Sequence, residues 1–150
     1  MLKIDQIYMS EALKEAEKAF EIDEVPVGAV IVHKGRVIAR AHNQIRLLKD
    51  PTAHAEIIAI TQAAAYFNNE RLSDCTAYVT IEPCTMCAGA LVLARVGRLV
   101  FGARDSKTGA FGSVIDVNKK KLNHKISVTK GVSEEECGAL IKEFFKKKRK

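Results

Sequence analysis

Cys75-Thr76-Ala77-Tyr78-Val79-Thr80-Ile81-Glu82-Pro83-Cys84-Thr85-Met86-Cys87 opens as a β-branched and aromatic run and closes on a proline followed by two nearby cysteines. Residues 75 to 81 predict a strand. Pro83 suits the start of a helix over Cys84 to Ala94, since its fixed φ is preorganised and its missing amide hydrogen is not needed there. A strand that feeds directly into a helix leaves the connecting turn at one edge of an α/β sheet, where such folds place their sites.

Working upstream, Val25-Pro26-Val27-Gly28-Ala29-Val30-Ile31-Val32 is almost continuously apolar, and Lys34-Gly35 turns it back into Arg36 to Ala41. A strand apolar on both faces needs helices on both sides. Gly28 reads as a packing glycine, with close approach to a ligand as the alternative. Residues 4 to 22 repeat apolar side chains at helical spacing and predict an amphipathic helix. Asn43 to Lys49 lacks a period and reads as a loop. Asp50 is then expected to cap a helix that begins at Pro51, carries His54 and Glu56 in its opening turns, and stops at Asn68-Asn69.

Downstream, residues 99 to 103 predict a strand, 104 to 123 a polar loop, and 126 to 129 a last short strand. Ser133 and Glu136 have capping-box spacing and open a helix whose apolar side includes Cys137, Leu140, Ile141, Phe144 and Phe145. The order helix, strand, strand, helix, strand, helix, strand, strand, helix fits an α/β fold: three layers, α/β/α, around a mixed five-stranded sheet. A length of 150 residues fits one domain spanning 1–150 and ending in a basic C-terminal helix, and is too short for two ordinary domains.

With 47% hydrophobic and 28% charged residues, the composition is that of a folded protein in water. No apolar run approaches the roughly 20 residues that span a bilayer, and the N-terminal turns lack the pattern of a secretory signal. A cytoplasmic protein with no membrane partner is expected. The four cysteines fit a reduced compartment and a metal better than a disulfide framework. The net charge of +6 is unevenly spread: residues 3 to 24 carry −4, leaving +10 for the rest. Such a field favours a polyanion, although charge alone does not separate RNA, DNA, a membrane surface and simple solubility.

Cys84 and Cys87, three positions apart, can meet one ion. Alone, the pair is ambiguous: half of a catalytic metal site is the leading reading, with a structural metal corner and a thiol–disulfide couple as alternatives. The redox reading leaves His54-Ala55-Glu56 unused. A structural site lacks an obvious fourth ligand: Cys75, Cys137, His33, His42 and His124 have no motif spacing and read as packing or surface residues. His54, Cys84 and Cys87 complete three positions of a tetrahedral zinc shell and leave the fourth for water. Glu56 is then the proton carrier beside the open position. An ideal helix turns about 200° between positions 54 and 56, so spacing alone does not make the two converge.

H-x-E followed by P-C-x-x-C is the signature of zinc nucleobase deaminases. The chain resembles the bacterial tRNA-specific adenosine deaminases, within the cytidine/deoxycytidylate deaminase superfamily, over nearly its whole length. Val25 to Val30, Asp50 to Glu56, Glu82 to Ala90 and Phe101 to Ala110 carry the likeness. The resemblance implies a cytidine deaminase-like fold, one Zn2+ per subunit and a homodimer. It implies hydrolytic deamination of adenosine to inosine at the wobble position of a tRNA anticodon, with arginine tRNA of anticodon ACG as the usual substrate. A zinc-dependent deaminase of a free base or nucleoside, such as guanine or cytosine, is the alternative. By the same resemblance Asn43 orients the base, the Ala55 amide contacts substrate, Asp105 and Lys107 meet the entering nucleotide, and the terminus from Phe144 through Phe145 and Arg149 to Lys150 binds RNA. Lysines stand where relatives carry some arginines, which keeps phosphate attraction but loses the guanidinium fork.

Overall fold

A computed structural model describes residues 2–149. Its elements in chain order are α1 (Lys3–Glu21), β1 (Gly28–His33), β2 (Arg36–His42), α2 (Ile45–Leu48), α3 (Ala55–Phe67), β3 (Cys75–Ile81), α4 (Thr85–Leu93), β4 (Arg98–Ala103), β5 (Ser127–Lys130) and α5 (Glu134–Lys148). The strands form one sheet in the order β2-β1-β3-β4-β5. β1 runs antiparallel to both β2 and β3, while β3, β4 and β5 are parallel. The predicted mixed five-stranded sheet is present.

Alternation along the central strands builds two cores. Ala29 and Ile31 of β1, Ala77 and Val79 of β3, and Leu99 and Phe101 of β4 face α3 and α4. Val30 and Val32, Tyr78 and Val100 face the other way, toward Met9 and Ala12 of α1 and Cys137 of α5. Gly28 is indeed a packing glycine: a Cβ there would lie 2.0 Å from the Ala12 carbonyl oxygen and 2.5 Å from the Ala16 amide nitrogen. The bare Cα lets α1 cross directly over the start of β1.

Beneath α1 lies a buried ionic knot. The Arg98 guanidinium donates to both carboxylate oxygens of Asp5, at 2.9 and 2.6 Å, and the Tyr78 hydroxyl donates to the same group at 2.7 Å. These bonds hold Asp5 ionised below its ordinary range, Arg98 being the largest cause, and they tie α1 to β3 and β4.

Three local expectations are corrected. Asp50 does not cap a helix at Pro51: its Oδ1 accepts from the Thr52 amide at 2.8 Å and the Thr52 hydroxyl at 2.7 Å, closing a turn, and α3 begins only at Ala55. The segment 43–49 is not wholly loop, since the buried Glu24 accepts from the Arg46 and Leu47 amides at 3.2 and 2.8 Å and holds the short α2. Ser133 makes no capping bond; it adopts φ +55° because Gly131 and Val132 both donate to the Phe101 carbonyl and draw the buried Val132 under the sheet. No helix among the described residues is long and apolar enough to cross a membrane.

Candidate active site and metal centre

Two helices, α3 and α4, begin side by side on one face of the sheet, and each offers a metal donor at its N-terminus. His54 is the residue before α3, in extended backbone (φ −73°, ψ 151°), and Cys84 holds the same place before α4 (φ −75°, ψ 177°). Cys87 follows in the first turn of α4 and is fully buried. His54 Nδ1 lies 3.8 Å from Cys84 Sγ and 3.5 Å from Cys87 Sγ. The three donor atoms all fall within 4.8 Å of one another, the one such group among the described residues. Bonds of about 2.0–2.3 Å from one divalent ion reach all three.

The extended backbone at His54 also removes the angular difficulty of the H-x-E spacing. Because His54 is not yet in the helix, the ideal-helix rotation does not separate it from Glu56, and both side chains line the same cavity.

Electrostatics fit a cation. The Cys84 thiol is pushed down to about 3, first by the hydrogen bond from Cys87 and then by that from His54. Cys87 is raised, since its proton is held by Cys84 and burial opposes its charge. His54 is raised chiefly by its bond to Cys84. A thiolate thus gathers the protons of its neighbours; metal binding by these donors releases them, and the positive ends of α3 and α4 favour the anionic ligands. Glu56 is 4% exposed, burial pushes its carboxyl to about 7, and its Oε1 has no hydrogen-bond partner. A buried carboxylate oxygen left unpaired is costly unless a ligand meets it.

The remaining sequence-predicted residues divide. Asn43, at the end of β2, is 5% exposed, and its Oδ1 accepts from the Ala55 amide at 2.8 Å. The Ala55 amide is therefore committed to Asn43, and the Asn43 Nδ2 group is left to face the cavity. This cavity, about 660 Å³, is lined by the polar Asn43, His54, Glu56 and Cys84 and by the apolar Val25, Val27, Ile45 and Ile81. Asp105, Lys107 and Phe145 stand at its rim. The Asp105 carboxylate is occupied locally: it accepts from the Lys107 and Thr108 amides at 3.0 and 3.1 Å and from the Thr108 hydroxyl at 2.7 Å, which shapes the rim. Arg149 lies outside this cavity and lines an adjoining one of about 310 Å³ with Lys107, Lys142 and Phe145.

The basic terminus is partly spoken for. Phe144 is buried edge-to-face against Phe20, while Phe145 is 43% exposed. Lys147 sits 5.0 Å from the Phe20 ring centroid, and Lys148 pairs with Asp23 at 2.5 Å. Lys150 lies outside the described residues. The five other histidines and cysteines are packing or surface groups: His33 meets the edge of Phe67, His42 lies against Glu15, His124 bonds the Val96 carbonyl, and Cys75 and Cys137 are buried.

Glu82, Arg104 and Lys142, to which the sequence pattern gives no role, also line the cavity. Glu82 was the legible one, being a charged residue caught between an apolar strand and Pro83.

The sheet order and the paired helix N-termini are those of the cytidine deaminase-like α/β fold, and the molecule is a deaminase. A sequence model of the MafB19-like deaminase family matches residues 4–149. The chain is 48% identical to the tRNA-specific adenosine deaminase of Bacillus subtilis (strain 168), over 97% of this chain and 91% of that one. Among solved structures it superposes with a TM-score of 0.87 and 47% identity, over 89% of this chain and 98% of the other, on one from a study of A-to-I editing by tRNA:A34 deaminases at the wobble position of transfer RNA. The guanine deaminase from Nitrosomonas europaea is more distant, with a TM-score of 0.78 and 26% identity over 93% of this chain and 83% of its own. The chain belongs to the tRNA-specific adenosine deaminase family.

Proposed function

We propose that this enzyme hydrolyses adenosine to inosine at the wobble position of a tRNA anticodon, with arginine tRNA of anticodon ACG as its substrate. The observation that carries the reading is Glu56: a buried carboxylate with an unpaired oxygen, beside three metal donors, in a cavity whose rim carries exposed Lys107. His54, Cys84 and Cys87 hold one zinc ion per subunit. Bound there, zinc lowers the pKa of water toward about 7 and so makes a nucleophile available at neutral pH.

The chain's own groups do the rest. Glu56 accepts a proton from the attacking water and passes it to N1 of the adenine as C6 becomes tetrahedral. It then carries the second water proton to the departing amine, so that ammonia leaves and inosine remains. A carboxyl raised to about 7 is suited to both directions of transfer. Asn43 Nδ2 donates to a ring nitrogen of the base, its orientation set by the Ala55 amide. The apolar walls accept the ring faces. An anticodon loop presents an unpaired base, whose insertion avoids the few kcal/mol that extrusion from a duplex costs.

Phe145 and Arg149 extend the contact along the RNA from the cavity mouth. The whole chain works as one deaminase domain in the cytoplasm, where its tRNA is. It forms a homodimer, for which the exposed Leu47, Leu48 and Leu93 offer apolar surface; Leu93 alone is 81% exposed. The test is inosine formation by zinc-loaded protein on an ACG anticodon stem-loop, against free adenosine, guanine and cytidine, with Glu56→Ala as control. Ammonia released from a free base with no inosine in the RNA overturns the substrate assignment and leaves the metal chemistry standing.

A further inference from the structure

Glu82 takes no part in this chemistry, yet it is 2% exposed and carries a carboxylate. It follows β3 directly and precedes the Pro83-Cys84 turn, and its amide donates to the Ala103 carbonyl at 2.8 Å, prolonging the pairing of β3 with β4. Its side chain is aimed at segment 105–113. Oε1 accepts from the Asp105 amide at 3.1 Å and from the Ser113 hydroxyl; Oε2 accepts from the Phe111 and Ser113 amides at 3.0 and 3.1 Å. None of the ion pairs among the described residues includes Glu82. Loop donors alone satisfy it.

The loop is built to close on this group. A Cβ at Gly109 would lie 2.4 Å from Glu82 Oε2 and 2.6 Å from the Asp105 carbonyl oxygen, so only glycine allows the wrap. The Ala110 amide donates to the Pro83 carbonyl at 2.9 Å, which fastens the same loop beside Cys84. At its outer end Asp105, Ser106, Lys107 and Thr108 form one rim of the catalytic cavity. Bonds from a carboxylate to amides are stronger than those of a neutral acceptor, and without it three buried or half-buried amides lose their partner.

We propose that Glu82 is a positioning residue: its buried carboxylate holds loop 105–113 in the shape that presents Lys107 and its neighbours to the RNA entering the cavity. This rests on the anticodon reading above. Its effect falls on substrate binding and alignment; proton transfer stays with Glu56.

The test uses the zinc-loaded enzyme with Glu82→Gln and, as a milder variant that keeps the buried carboxylate, Ser113→Ala. Glu82→Gln sets an amide NH2 against backbone donors. It should lose hydrogen-exchange protection at the amides of Asp105, Phe111 and Ser113 while β1 and β3 keep theirs, and should retain its zinc. KM for the stem-loop should rise roughly tenfold or more, with a smaller fall in kcat. Ser113→Ala should move the same readouts by about two- to threefold, and decides the matter if Glu82→Gln does not fold. Unchanged loop protection, or an unchanged KM with loss of zinc, overturns the proposal. Wild-type protein that leaves the stem-loop unedited defeats the substrate assignment instead, and the exchange data still decide whether Glu82 holds the loop.

Discussion

The amide of Ala55 donates to the side-chain oxygen of Asn43 across 2.8 Å, joining the first residue of α3 to the residue that follows β2. The bond fixes which end of the Asn43 amide faces the cavity. Asn43→Ala leaves a buried N–H unpaired and removes the donor, so stability should fall by about 1–3 kcal/mol and kcat/KM by roughly a hundredfold. Asn43→Asp keeps an acceptor for Ala55 while withdrawing the donor. Its melting temperature should stay closer to wild type than that of Asn43→Ala, with activity lost in both. An Asn43→Asp enzyme of full activity would show that Nδ2 has no role.

In the proposed reaction Glu56 moves protons and Cys84 holds the metal. Glu56→Gln should bind zinc with wild-type stoichiometry, measured by elemental analysis, and lose at least about 10²–10⁴ of kcat. Cys84→Ala should lose zinc, and with it the stability that metal binding contributes to the folded state. Chelation of the wild type should lower its melting temperature in the same direction. Equal zinc loss in the two variants would contradict the assignment.

Gly28 tests the packing of the first helix. Gly28→Ala places a methyl group 2.0 Å from the Ala12 carbonyl oxygen, where backbone rather than a mobile side chain must yield. Destabilisation of about 3 kcal/mol or more is expected, read as a lower urea midpoint with an unchanged slope. Zinc content per folded molecule should not change, because α1 lies across the sheet from the ligands.

Much of this was readable in the residues themselves. The apolar run at Val25 to Val32 needs cover on both faces, and α1 and α3 supply it; the strand-to-helix passage at Cys75 to Cys87 delivers the two thiols where expected. What the sequence concealed were matters of backbone conformation and of distant partners. Asp50 has the chemistry of a helix cap, but it bonds Thr52 and delays α3, and that delay is what lets His54 and Glu56 converge. Ser133 has capping-box spacing but is held in the left-handed region by the anchoring of Val132. Glu82 finds its donors 23 to 31 positions away, at a separation no local pattern reports.

The Asp5–Arg98 pair contributes to the loss of stability in acid. Its carboxyl titrates below the ordinary 3.8 in the folded protein because Arg98, and with it Tyr78, favour the charged form. A depressed carboxyl contributes stability that is complete above the unfolded pKa of about 4 and is lost as pH falls through the folded value. Wild type should therefore lose stability below about pH 4 more steeply than Asp5→Asn. At pH 7 the variant should be weaker by about 2–3 kcal/mol, since Arg98 loses its counter-charge while remaining about a quarter exposed. Urea midpoints measured from pH 7 to pH 3 give both quantities, and parallel curves would show that the pair does not contribute to the loss in acid.

The basic helix end separates cations that hold the fold from those that can meet RNA. Lys148 is paired with Asp23 and Lys147 covers the Phe20 ring, whereas Lys142 and Arg149 line the cavity adjoining the active site. A cation that neutralises one phosphate of a single strand contributes about 0.7 to the slope of log affinity against log salt. Lys142→Ala and Arg149→Ala should each reduce that slope for the anticodon stem-loop by up to about 0.7. Lys148→Ala should leave the slope near its wild-type value and instead loosen the last turns of α5, seen as faster amide exchange there. Binding titrations at several salt concentrations distinguish the two groups. A slope that falls equally for all three variants would mean that Lys148 leaves Asp23 for the RNA, and that the ion pair is exchanged when substrate binds.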